Sequence, residues 1–176
     1  MHPINTWSGK YSCEVQILDR GISQLKRMLE HHCKVLCIRV DLHLNQYEER
    51  NDRISRLMRK LRKWVKREFK MKRMGYLWVR EKEKAKHQHY HLYLFLDGNK
   101  IQTSYKILAW ITEEWTSQDQ PKPPRIENPY LNIRRGDKQA LDEVIERLSY
   151  LAKTRCKRYR KRYVKDYSTS RIKGCD

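Results

Sequence analysis

Gly75-Tyr76-Leu77-Trp78-Val79-Arg80-Glu81 and His89-Tyr90-His91-Leu92-Tyr93-Leu94-Phe95-Leu96 decide the fold; the polar stretch Lys82 to Gln88 separates them and the turn pair Asp97-Gly98 closes the second. Two runs rich in aromatic and β-branched residues, joined by a short polar connection, predict an antiparallel hairpin. Working outward, Val35-Leu36-Cys37-Ile38-Arg39-Val40-Asp41-Leu42 is apolar and too short for a buried helix, so it predicts a central strand. Tyr130 to Ile133 predicts an edge strand. Helical spacing appears in four places. Ile22, Leu25, Met28 and Leu29 mark a helix ending near His32, and Ile54, Leu57, Met58, Leu61, Trp64, Val65 and Phe69 mark a long one from Glu48 to Met71 with a solidly basic outer face. Ile107, Trp110, Ile111 and Trp115 mark a third, ended by Pro121, Pro123 and Pro124. Leu141, Val144, Ile145, Leu148, Leu151 and Ala152 form the stripe of a fourth, Gln139 to Lys153. The expected class is α+β, a central antiparallel sheet of ferredoxin-like or RNA-recognition-like topology flanked by helices. Residues 1–20 are expected as an N-terminal segment, 21–157 as the domain, and 158–176 as a basic tail.

A chain of 176 residues suits one domain with a real core. Forty Lys and Arg against 21 Asp and Glu give a net charge of +19, and a polyanion is the simplest partner for such a field. Nucleic acid is therefore expected. No run of 18 apolar residues and no apolar leader is present, so a soluble, cytoplasmic protein without membrane partner is the expectation. The five cysteines include no CxxC pair, which argues against a zinc ribbon or a disulfide framework. No signature of a small-molecule cofactor is present.

On the second hairpin strand His89 and His91 share one face, about 7 Å apart along the strand. Two imidazoles so placed can share a divalent ion; equally, they can sit half exposed near a sheet end and hydrogen-bond there. Glu81 ends the first strand with the parity that lets it face His89 or His91 across the hairpin, a candidate third ligand. Glu83 has the same parity but falls in the loop, beside Lys82 and Lys84. Two imidazoles and a carboxylate with open positions suit Mn²⁺ or Mg²⁺ acting on a phosphate oxygen. On the fourth helix, at about 100° per residue, Tyr150 falls roughly opposite the apolar stripe. It is either a surface tyrosine or a phenol aimed at a bound strand, with Lys153 one turn on, where an ammonium could neutralise a phosphate. Tyr159, Tyr163 and Tyr167 lie four apart among Arg158, Arg160, Lys161, Arg162 and Lys165, as one helical stripe would. They read as base-stacking rings or as ordinary packing.

His89-Tyr90-His91 before an apolar strand, followed some sixty residues later by Tyr150-Leu151-Ala152-Lys153 on a helix, resembles motifs II and III of the HUH endonucleases. Asp41-Leu42-His43 and Ser168-Thr169-Ser170-Arg171 resemble the gene-two-type replication proteins of filamentous phages (inoviruses) found in bacterial prophages. The resemblance spans roughly Val35 to Arg171. It implies the HUH fold and an enzyme in which Tyr150 attacks one DNA strand, leaving a 5′-phosphotyrosine and a free 3′-hydroxyl, while His89 and His91 hold a divalent metal. Rolling-circle replication of a phage-like element in a bacterial cytoplasm is the implied role. The DNA partner would be single-stranded or origin DNA, and a host helicase would have to do any unwinding. Arg155, Lys157 and Arg158 follow Lys153 directly and are the expected strand contacts. A non-catalytic nucleic-acid-binding module or regulator, using the same sheet and basic helices, is the alternative.

Overall fold

The computed structural model describes residues 13–81, 88–153 and 163–175. Among these residues nine elements follow in chain order. They are α1 (Val15–His31), β1 (Lys34–His43), α2 (Asp52–Phe69), β2 (Gly75–Glu81), β3 (His89–Asp97), α3 (Tyr105–Thr116), β4 (Tyr130–Arg134), α4 (Lys138–Leu151) and β5 (Tyr167–Thr169). The strands form one open antiparallel sheet in the order β4-β1-β3-β2-β5. The segment from β1 to β4 is a β-α-β-β-α-β unit, the split arrangement expected of a ferredoxin-like topology. The fold is thus α+β, as the hairpin and the helical periods predict.

Alternation along the strands gives the sheet two apolar faces. Leu36, Ile38, Val40 and Leu42 of β1, Trp78 of β2 and Tyr90, Leu92, Leu94 and Leu96 of β3 pack with the stripes of α2 and α3. Val35 and Cys37, Leu77 and Val79, and Tyr93 and Phe95 face the other way, against Leu25 and Met28 of α1 and Val144, Leu148 and Leu151 of α4. A sheet covered on both sides explains why its central strands read as nearly continuous apolar runs.

The helices differ from expectation mainly at their ends. α1 starts at Val15, several residues before the apparent period, because Ile17, Leu18 and Gly21 belong to its buried stripe. Gly21 interrupts that stripe in sequence but serves it in space. A Cβ there would lie 3.0 Å from Leu77 Cδ2, so glycine lets the helix lie close on β2. α2 stops at Phe69 with Lys70 left-handed at φ 52°, and α4 is opened by Asp137, whose side chain accepts from the Ala140 amide at 3.0 Å. α4 ends at Leu151, not Lys153. Beyond it the backbone turns to the chain's start, where the Glu14 amide donates to Ala152 O at 2.6 Å and Cys13 bridges Lys153.

The stretch expected as a basic tail contributes a strand. β5 pairs with Leu77, Trp78 and Val79. Ser170 fastens it, accepting from the Tyr76 amide at 3.0 Å and donating to Gln24 of α1 at 2.7 Å. Tyr167 is therefore a strand residue, and Tyr163 lies in a turn, so the two do not share a helical stripe. Tyr159 and its basic neighbours lie outside the described residues. A three-residue strand carries no period to read, which is why it was not anticipated.

At one end of the sheet the α2/α3 face carries a buried cation. Arg80 is 2% exposed, and its guanidinium donates to Glu48 O at 2.7 Å, Glu49 O at 2.9 Å, Gln88 Oε1 at 3.1 Å and Asn51 Oδ1 at 3.2 Å. Gln88 in turn donates to Tyr90 Oη, which donates to Asn51 Oδ1. The 44–51 loop and the ends of β2 and β3 are thereby tied together. No described helix is long and apolar enough to cross a membrane. Replacing Arg80 by Ala strands four acceptors in a closed site and should lower unfolding stability by about 3 kcal/mol or more, measured by urea denaturation.

Candidate functional site

On the α1/α4 face the apolar residues give out toward the same end of the sheet, and ionisable ones replace them. Three strands contribute. The register sets Asp41 beside His91 and His43 beside His89 on β1 and β3, and Glu81 beside His89 on β2 and β3. Because opposite residues on adjacent strands project to the same side, these five side chains, with Arg39, occupy one patch. The parity expected of Glu81 is realised.

Glu81 Oε2 lies 3.4 Å from His91 Nε2 and 3.6 Å from His89 Nε2. The three potential ligand atoms all fall within 4.8 Å of one another. Bonds of about 2.1 Å at near-octahedral angles place neighbouring ligand atoms about 3 Å apart, so small side-chain shifts would close these donors on one ion. Among the described residues this is the one group of three His, Cys, Asp or Glu side chains so arranged. Two imidazole nitrogens and one carboxylate oxygen are a donor set that could hold a divalent cation, with further positions left for water or phosphate. Glu83 lies outside the described residues.

Behind the cluster stands Asp41, 2.8 Å from His91 Nδ1. Arg39 grips the same carboxylate with Nε to Oδ1 at 3.2 Å and a terminal nitrogen to Oδ2 at 2.9 Å. Burial alone would raise the Asp41 pKa, but hydrogen bonds and charge from His91 and Arg39 outweigh it and hold the group well below the ordinary carboxylate range. An ionised Asp41 can only accept, so His91 must donate through Nδ1, and Nε2 is the atom turned toward Glu81 and His89. His91, 5% exposed, is itself shifted up: burial opposes its charge, while Asp41 and Glu81 more than compensate. His43 stacks on His89 with ring centroids 5.3 Å apart; partial burial, aided by the His89 charge, holds its pKa below the usual imidazole value.

Tyr150 reaches this patch from α4. Its ring stands edge-on to His91 with centroids 5.8 Å apart, the Arg39 guanidinium carbon lies 4.5 Å from its centroid, and Lys153 Nζ lies 3.6 Å from it. The ring is half buried, packed against the α1/α4 core. The angular count that set it opposite the apolar stripe is corrected by this contact. A helical wheel gives only the Cβ direction, whereas a long side chain leans back along the helix and over the neighbouring turn. Lys153 meets the ring although it lies past the end of the helix.

The structure thus brings together Tyr150, Lys153, His89, His91 and Glu81. Arg155, Lys157 and Arg158 lie outside the described residues. Arg39, Asp41 and His43 also belong to the patch; sequence reasoning gave none of them a role there, and Asp41 and His43 entered only through the resemblance of Asp41-Leu42-His43. Their signal was present in the alternation Arg39-Val40-Asp41-Leu42-His43, polar at every odd position, where a wholly buried strand would stay apolar.

A family model described as the YagK/YfjJ C-terminal domain matches residues 3–165, nearly the whole chain. The chain belongs to that family. Comparison with curated proteins and with solved structures gives no match. In this YagK/YfjJ domain the match runs through every residue of the patch, from Arg39 to Lys153. Asp41→Asn keeps the shape of the carboxylate but removes its charge, and should weaken binding of Mn²⁺ by about 10- to 100-fold. Titration calorimetry measures this, with circular dichroism confirming that the variant is folded.

Proposed function

We propose that this chain is a metal-dependent, single-tyrosine endonuclease of the HUH type. In this reading it nicks and rejoins single-stranded DNA through a 5′-phosphotyrosine, and initiates rolling-circle replication of a phage-like element. One observation carries it: the Tyr150 ring packs edge-on against His91, a member of the His-His-Glu cluster, with Arg39 and Lys153 on the same ring.

His89, His91 and Glu81 would hold the ion. A bound divalent cation supplies Lewis-acid charge at a phosphate oxygen. The rest falls to side chains. Asp41 fixes the His91 ring and its tautomer. Tyr150 Oη attacks phosphorus, forming the phosphotyrosine bond as the bond to the 3′-oxygen breaks; the proton lost from the phenol balances the one gained by the departing 3′-hydroxyl. Rejoining is the reverse. Arg39 and Lys153 place two positive charges where the five-coordinate phosphorus gathers negative charge. The net charge of +19 favours a polyanionic substrate, and the resemblance of His89-Tyr90-His91 and Tyr150 to Lys153 to the HUH motifs supports a DNA strand. Arg155, Lys157 and Arg158 would add phosphate contacts next to the scissile position. Unwinding of a duplex origin would fall to a host helicase in the bacterial cytoplasm.

Incubation with a pool of single-stranded DNA and Mn²⁺, followed by denaturing electrophoresis and mass spectrometry, should give a DNA adduct on Tyr150. EDTA and Tyr150→Phe should each abolish it, and Tyr150→Phe should leave DNA affinity within about twofold, since one hydroxyl is lost. Salt-sensitive binding with no adduct at any tyrosine would replace the nuclease by a non-catalytic binding module.

A further inference from the structure

Next to Arg39 lies a surface feature that the proposed chemistry does not use. A groove of about 1470 Å³ runs between α3 and the 121–132 segment that leads into β4. Its walls carry Tyr105 and Leu108 from α3, Lys122, Pro123 and Arg125 from the connecting segment, and Tyr130 from β4. Arg39 and Val40 also line it, where β1 continues past the last residue paired with β4. The Arg39 amide donates to Pro129 O at 2.8 Å, which fixes the groove wall to the strand that carries Asp41. The Arg39 side chain meanwhile lies on Tyr150.

Size and lining limit what fits. Pockets for small ligands are usually about 300 to 1,000 Å³, so this groove is long for a metabolite and suits a stretch of polymer. Tyr105 is 76% exposed, so its ring face is accessible for a base to stack on. Aromatic and proline surfaces alternating with Lys122, Arg125 and Arg39 match a strand that offers flat bases and anionic phosphates in turn. A duplex, whose bases are already stacked, gains nothing from Tyr105 or Tyr130. Glu127 is the one acidic residue of the lining.

We infer that this groove is the track for an unpaired nucleic-acid strand. Bases stack on Tyr105 and Tyr130, Lys122 and Arg125 meet the phosphates, and the strand reaches Tyr150 past Arg39. The inference rests on the endonuclease reading for its direction of approach, but it concerns binding, and can stand when cutting does not.

The experiment uses the full chain with Tyr150→Phe, so that binding is read without cleavage, and fluorescence anisotropy with oligothymidylates of increasing length. Tyr105→Ala should weaken binding about tenfold. A Lys122→Glu, Arg125→Glu double variant should weaken it further and flatten its salt dependence. All three residues are exposed, so thermal melting should be unchanged. With 4-thiothymidine in the strand, photo-crosslinks should map to Tyr105 or Tyr130. Crosslinks there with no Tyr150 adduct in the unmodified protein would keep the groove and remove the nuclease. An adduct on Tyr150 with affinity and crosslinks indifferent to these variants would keep the nuclease and overturn the groove. Preference for duplex over single strand, or a protein partner competing for the groove with no effect of DNA, would also overturn it.

Discussion

A carboxylate set into the covered face of a sheet has to be answered by donors, and Asp41 is answered by two. Arg39 holds it from two residues away on the same strand, and His91 holds it from the neighbouring strand at 2.8 Å. The rest of the site depends on this trio. The ionised carboxylate dictates which nitrogen of His91 carries hydrogen, and so which nitrogen faces Glu81 and His89. The same salt link pins Arg39 in place, and Arg39 forms part of the seat of Tyr150. One buried charge therefore orients both a candidate ligand and a candidate nucleophile, although the two lie about sixty residues apart in sequence.

The scaffold keeps this polar patch from loosening by bracing it from behind. Beneath Glu81 and His89, on the other face, Arg80, Gln88, Tyr90 and Asn51 form a closed hydrogen-bonded group that ties the 44–51 loop to the strand ends. Both faces of this end of the sheet are thus polar, whereas both faces of the rest are apolar. Rigidity here comes from saturated hydrogen bonding in a closed environment; elsewhere it comes from packing.

Much of the architecture was legible because long segments carry strong periods: the stripe of α2, the hairpin of β2 and β3, and the stripe of α4 needed nothing beyond spacing. Features that depend on three-dimensional closeness were not. Gly21 looked like a gap and is a point of contact with Leu77. β5 is too short to show alternation and exists because Leu77 to Val79 offered an open edge. In the candidate site, the shared face of His89, His91 and Glu81 followed from strand parity, while the reading of the two histidines as ligands came with the HUH resemblance. Tyr150 was singled out for the wrong geometric reason, since its ring packs against the α1/α4 core and beside His91. Asp41 and Arg39 were hidden by their strand's apolar neighbours, since a sequence does not show which end of a strand lies under a helix.

The alternation that builds the patch also makes it an indicator of strand alignment. His89 and His91 flank Tyr90, and Glu81 follows Arg80, so a slip of one residue in β2 would carry Glu81, and one in β3 both histidines, to the opposite face. A slip in β2 would in addition set a guanidinium where the carboxylate now stands. Only one alignment of β2 with β3 assembles nitrogen, nitrogen and oxygen at one point. In the proposed reading a divalent cation binds that alignment and no slipped one, and so selects it among misfolded competitors by mass action. The cluster would then proofread the sheet as the chain folds, before any strand of DNA arrives.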